Sequence, residues 1–390
     1  MIKETIKIHD AYQFEIKQAY NLSPGRKRES SYFVQTYLFI PHNLNINRET
    51  FTADDFYKDL RATVRLQTPS IPLSELASGQ GILERLRLSV KGLEKTPRPE
   101  SVSDCEYQIK MFCLIYKKAI GIHLRFIKGT KAKIERTRLT ADYITSVSEI
   151  MRRFRDLMPE ALKALPPDSR MTVLFADEYC SLKTENHTCL LQEILLEKAP
   201  DHATRFRARL MRIVREESAY RIRNGYPSVP SPDGDNEKFV FRQGALKKFL
   251  SNVLYLETHT TRGGMFLEHL IYSIAAGVAM VFATVVVFIG QSRYGSLSLP
   301  FFIALVISYM FKDRIKEILR LYLNVTLHKR LYDRSRDIYH TFHEKIGTCR
   351  ESFNIVDDRS VSRAILDMRA RDRMSDIDNS MIGENVILYR

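Results

Sequence analysis

Residues Leu270–Gly290 read LIYSIAAGVAMVFATVVVFIG, with no charged side chain among them. About 20 apolar residues in a helix cover a hydrocarbon core of about 30 Å. A soluble core helix of this length would keep a polar face, and this stretch shows none. It predicts a membrane-spanning helix. A second apolar arm, Leu297–Phe311, follows after a short turn. At about 1.5 Å per residue that arm covers about 22 Å. Tyr294 and Gly295 can lengthen it on one side, and Lys312 can snorkel on the other. The expected element is a two-helix transmembrane hairpin over residues 265–312, with a re-entrant second arm as the alternative.

Cations flank the hairpin unevenly. Lys238, Arg242, Lys247, Lys248 and Arg262 precede it, Lys312, Arg314, Lys316 and Arg320 follow, and the turn holds only Arg293. Positive residues stay on the cytoplasmic side, so both termini are expected to be cytoplasmic, at the inner membrane of a cell. Ala275, Ala279 and Ala283 repeat every four residues, as do Ser273 with Gly277 and Ala304 with Ser308. Such rows let helices approach closely in lipid, either arm on arm or between protomers of a homo-oligomer. Glu268, at the cytoplasmic end of the first arm, is a candidate partner for Lys312 or Arg314 in a clasp at headgroup level.

Outside the hairpin the 390 residues look polar and soluble. The alternation of Ile2, Ile6 and Ile8, then of Tyr12, Phe14 and Ile16, and the run Ser31–Ile40 predict a small antiparallel β-meander over residues 1–48. From residue 49 the period turns helical, giving a cytoplasmic helical domain to residue 226. Thr52 with Asp54 and Asp55 should cap a helix running to about Leu66. Lys128–Arg138 reads as a basic loop, Thr140 as the next cap, and residues 170–198 as a helix interrupted near Asn186. Residues 227–264 contain a Pro- and Gly-rich linker and a juxtamembrane amphipathic helix with Leu246, Phe249, Leu250, Val253 and Leu254 on its apolar side. After the second arm, Ile318, Val325, Tyr332, Tyr339 and Ile346 recur every seven residues, which predicts a helical stalk over 313–347 that packs on the chain's own helices or dimerises. A polar C-terminal tail, 348–390, ends in an apolar run at Asn385–Tyr389 that suits a strand.

The net charge is +14. With lipid already implied, anionic headgroups are the first partner this suggests, ahead of nucleic acid. The five cysteines show no paired spacing and read as reduced thiols. Basic clusters at Arg26–Arg28, Lys128–Arg138, Arg152–Arg155 and Arg205–Arg215 are the strongest functional signal; Arg205, Arg209, Arg212 and Arg215 share the outer face of one helix. Lys247 and Lys248 extend this lipid- or partner-binding set. Gly79-Gln80-Gly81 lacks the third glycine and the GK[ST] of a phosphate loop. Asp177, Glu178 and His187 have the residue types of an acid–base site, but His187 falls more than a turn away. Asp337, His340, His343 and Glu344 would sit within two turns of the stalk and carry metal-ligand chemistry without a zinc motif. No cofactor motif is found. The pattern favours a membrane-anchored scaffold or sensor over a membrane-associated enzyme using the Asp177–His187 region or the stalk. A pore is disfavoured because neither arm has a polar stripe.

Overall fold

Proline decides where the long helices begin. Pro99, Pro167 and Pro200 each occupy the first turn of a helix, where the missing N–H breaks no helical bond. The structure, a computed structural model, describes residues 3–20, 30–79, 81–95, 98–230, 234, 236–263, 265–295, 298–328, 332–340, 344–357, 360–370 and 383–390. These fall into two compact units, residues 63–257 and residues 1–62 with 258–390.

The first unit is helical: α2 (Leu73–Ala77), α3 (Ile82–Lys95), α4 (Pro99–Gly129), α5 (Lys133–Ala164), α6 (Pro167–Lys198), α7 (Pro200–Arg223) and α8 (Glu237–Ser251). Its core is aromatic and aliphatic. Phe112 stacks on Phe154 at 4.7 Å, and Ile120, Ile127, Val147 and Leu210 are fully enclosed. Two buried tyrosines pair their hydroxyls with threonines of α6: Tyr116 meets Thr184 at 2.7 Å and Tyr143 meets Thr188 at 3.0 Å. Several local expectations change. α4 and α5 continue into the expected basic loop, Thr140 lies inside α5, and α6 runs unbroken through Asn186. The apolar side of α8 is taken up by protein, with Leu246 and Leu250 buried in the common core.

The second unit joins both ends of the chain. α1 (Ala53–Asp59) opens on the Thr52–Asp55 capping box expected from sequence. It stops at Asp59 and not near Leu66, because residues 64–66 are extended and bond to Leu254 and Leu256. The predicted three-stranded meander is overturned. β1 (Lys3–Ile8) and β2 (Phe14–Ala19) form a two-stranded ribbon, while β3 (Thr36–Pro41) pairs with β8 (Glu384–Tyr389), whose other edge takes β7 (Phe353–Val356). The reason is burial. Leu38 and Ile40 need a covered face, and Ile387, Ile355 and Phe353 complete it beneath α1, with Phe56 stacked on Phe353 at 4.7 Å. On the opposite face, Arg369 of α11 (Arg363–Ala370) lies over the Phe39 ring.

The helical stalk expected over 313–347 holds only to His328, where the helix that begins at Leu299 ends, and is overturned beyond it. β4 (Glu257–Arg262), β5 (Arg334–Tyr339) and β6 (Lys345–Glu351) form a third sheet where the seven-residue spacing predicted helix. Strand pairing buries Arg336 against Glu351 at 3.1 Å and gives its guanidinium the Ala62 carbonyl.

α9 (Met265–Tyr294) and α10 (Leu299–His328) pack side by side. Ile271, Ala275 and Ala279 are buried, as is Ser308, and Arg320 stacks over Tyr272 at 4.1 Å. Among the described residues one helix, α9, is long and apolar enough to cross a membrane, over His269–Arg293. α10 is not. Its apolar part, Leu299–Phe311, spans only about 20 Å before Lys312, Asp313, Arg314, Lys316 and Glu317. The two-helix transmembrane hairpin is therefore corrected to a single candidate span. The argument that set both flanks on one side of a membrane falls with it.

Deleting residues 384–390 removes the central strand from β3–β8–β7. Hydrogen exchange should then show the β3 amides losing protection while those of α4 keep theirs. Unchanged β3 exchange would contradict the assigned pairing.

Candidate functional site

α6 holds both acidic residues singled out from sequence, and both are fully buried. Asp177 accepts hydrogen bonds from Tyr226 at 2.8 Å, Tyr220 at 2.9 Å and the Arg155 Nε at 3.3 Å. Arg155 turns its other two nitrogens to Glu217, at 3.0 and 2.7 Å, and lies 3.6 Å from the Tyr220 ring centre. Glu178 faces α8, where Arg242 grips it at 2.6 to 3.2 Å. Arg221, fully buried, donates to the Ser228 carbonyl and to Ser181, each at 3.1 Å, and to Glu185. The network thus ties α5, α6, α7, α8 and the chain after α7 together.

Its electrostatics are those of a closed structural cluster. Burial and the neighbouring Asp177 push the Tyr220 phenol up to about 12, and the same two causes raise Tyr226, so both stay neutral donors. Burial opposes the charge on Arg155, but Glu217 and Asp177 outweigh it and hold the guanidinium protonated. The Asp177 carboxylate spends its acceptors on two phenols and a guanidinium, leaving no oxygen directed at an open site. His187 is ten residues along the same helix, about 15 Å away. Its Nδ1 is 2.8 Å from the Lys183 carbonyl, and burial followed by the Lys183 and Lys117 charges lowers its proton affinity. Asp177, Glu178 and His187 are therefore not brought together.

The stalk candidates are dispersed too. Asp337 sits in β5, bonded to Lys345 and Thr348, and that pairing holds its carboxyl below the usual range. The His340 amide bonds to the Glu344 carbonyl, and His343 lies outside the described residues. Among the described residues no three His, Cys, Asp or Glu side chains gather as metal ligands. For the clasp, Lys312 lies 4.0 Å over the Tyr309 ring and Arg314 is exposed, while the Glu268 side chain is outside the described set.

The basic clusters part company. Arg26–Arg28 lie outside the described residues. Arg152 and Arg153 pair with Glu149, and Arg155 has turned inward. On α7, Arg205, Arg209, Arg212 and Arg215 are exposed, Arg207 joins them, and none has an ion-pair partner among the described residues. The opposite face explains the orientation: Phe206, Leu210 and Ile213 are buried at helical spacing. An open groove of about 580 Å³ runs along the exposed side, lined by Arg207, Met211, Arg212, Arg215 and Glu216 among others. Lys247 and Lys248 are exposed on α8, and Lys247 acts electrostatically on Lys117 of α4 and Lys183 of α6. Sequence reasoning missed Lys117 and Lys183, since each sits inside an otherwise ordinary helix and nothing in the sequence shows that α4 and α6 bring them level.

Comparison with known protein families, characterised proteins and solved structures finds no match.

Arg242→Met leaves the Glu178 carboxylate buried without its partner and should lower stability by about 3–5 kcal/mol. The double variant Glu178→Gln/Arg242→Met should recover most of that loss. Denaturant unfolding followed by circular dichroism checks both; a loss under about 1 kcal/mol for the single variant would mean the pair is not desolvated.

Proposed function

We propose that this chain is a non-catalytic membrane protein, anchored through α9, whose helical unit binds an anionic lipid surface through the arginine face of α7. The observation that carries the reading is the division of charge. The interior carboxylates nominated for catalysis are already matched by arginines and tyrosines, while Arg205, Arg207, Arg209, Arg212 and Arg215 of α7 stand exposed, with no acidic partner among the described residues. Each cation held near an anionic leaflet contributes about 1 kcal/mol, screened by salt.

Support for the anchor comes from exposed surface. Ile274, Val278, Val281, Val285, Phe288 and Ile289 of α9 are all exposed in a helix without charge between Leu270 and Gly290. A contiguous apolar surface of this kind marks lipid or protein contact, and length and composition favour lipid. The enzyme alternative would need an acid–base pair within hydrogen-bond reach, and the separation of Asp177 from His187 removes the pair it named.

Two measurements test the reading. Alkaline carbonate should leave the full chain in the membrane pellet, and Val281→Lys should release a substantial fraction; release of the unmodified chain would sink the anchor. In lipid nanodiscs, phenylglyoxal should modify Arg209, Arg212 and Arg215 several-fold more slowly when the discs contain phosphatidylserine than when they are pure phosphatidylcholine. Added salt should erase the difference. Equal rates in both discs would sink the lipid-binding face.

A further inference from the structure

Around Asp177 and Glu178 each inward-turned arginine has a carboxylate partner: Arg155 has Glu217 and Asp177, Arg242 has Glu178, and Arg221 has Glu185, while Arg136, elsewhere in the unit, is held by the Lys198 and Thr130 carbonyls. A set of lysines departs from that rule. Lys117 on α4 and Lys183 on α6 are half-buried, and Lys247 on α8 is exposed beside them. Among the described residues no carboxylate pairs with any of the three.

Helix register brings them together. The Cys113 and Cys180 sulfurs lie 3.5 Å apart, and one turn later Tyr116 meets Thr184, so α4 and α6 run in the same direction with Lys117 level with Lys183. A further turn along, a methyl group on Gly121 would lie 3.9 Å from Nε2 of His187, so α4 puts no side chain over the ring at that point. α8 crosses the same seam. Phe249 meets Phe175 of α6 edge-on at 5.1 Å and takes the Lys110 ammonium of α4 over its face at 4.5 Å. Lys183 is steered by its own helix, with its ammonium 5.3 Å from the Tyr179 ring centre.

The cations feel one another. Burial and the Lys247 charge lower the proton affinity of Lys117. Burial, Lys117 and Lys247 do the same to Lys183. Like charges gathered in a partly desolvated seam destabilise the empty protein and favour a bound anion. Three ammonium groups from three helices suit a tetrahedral dianion with several acceptor oxygens better than a flat carboxylate with two.

From this convergence we infer that Lys117, Lys183 and Lys247 form a binding site for a phosphate group, carried either on a soluble ion or on a lipid headgroup. The site is separate from the α7 arginines and does not rest on their function. A surface patch binds diffusely, whereas a seam between three helices saturates with one ligand.

The test uses the full chain in nanodiscs and follows acetylation of individual lysines by acetic anhydride, with ionic strength held constant by chloride. One arm adds inorganic phosphate to pure phosphatidylcholine discs; the other replaces part of the lipid by phosphatidic acid. Acetylation of Lys117 and Lys183 should slow at least fivefold, saturably, in one arm or both. Slowing by inorganic phosphate assigns a soluble ligand, and slowing by phosphatidic acid alone assigns a headgroup. Lys183→Met, which keeps the alkyl stem, should cut the slowing at Lys117 to less than twofold, whereas Arg212→Gln should leave it at fivefold or more. No slowing in either arm would overturn the site. So would an equal loss in both variants, which would trace the effect to the α7 face. Because the protection is read on the unmodified protein, a poorly folding variant does not remove the test.

Discussion

A carboxylate removed from water must be given hydrogen-bond donors, and in this protein that requirement arranges a whole domain. Asp177 and Glu178 are adjacent on α6, so their side chains point about 100° apart around the helix. One draws in α5, α7 and the tyrosine beyond α7; the other draws in α8. Neither could be buried alone. Their partners reinforce the apolar contacts of Phe206, Leu210 and Ile213 on α7 and of Leu246 and Leu250 on α8, which turn the α7 arginines outward and seat α8 across the α4–α6 seam.

This has a consequence for charge. Acidic groups consumed inside the domain cannot neutralise cations outside it. The interior acids Asp177, Glu178, Glu185 and Glu217 are nearly balanced by Arg155, Arg221 and Arg242, so the surplus of 60 Lys and Arg over 46 Asp and Glu belongs to the rest of the chain, where it can meet anions. The carboxylates that look catalytic by composition are held by arginines and tyrosines, and the cations that carry no ion pair among the described residues face outward or meet between helices.

How much of this could be read in advance depends on how local each feature is. The α7 face was legible because helical periodicity sorts its arginines from Phe206, Leu210 and Ile213 within one element. The Thr52 cap was legible for the same reason. The sheets were not. β3 finds its partner β8 more than 340 positions away, and β5, reading RSRDIY, has no apolar alternation to announce a strand. Its stability comes from pairing with β4 and β6 and from Arg336 meeting Glu351, none of which a seven-residue spacing reveals. The second apolar arm misled through its flank: apolar residues up to Phe311 suggest a span, but the charges from Lys312 onward set its length. Lys117 and Lys183 carried no signal at all, since only the parallel register of α4 and α6 makes them neighbours.

The central claim is that the helical domain is a fixed body that uses surplus positive charge to hold anions and does no chemistry of its own. Native mass spectrometry of the full chain, released from micelles doped equally with phosphatidylcholine and phosphatidylserine, addresses it most directly. The account predicts that the anionic lipid is retained in clear excess, and that the excess disappears when ammonium acetate is raised. Equal retention of the two lipids at every salt concentration would contradict it.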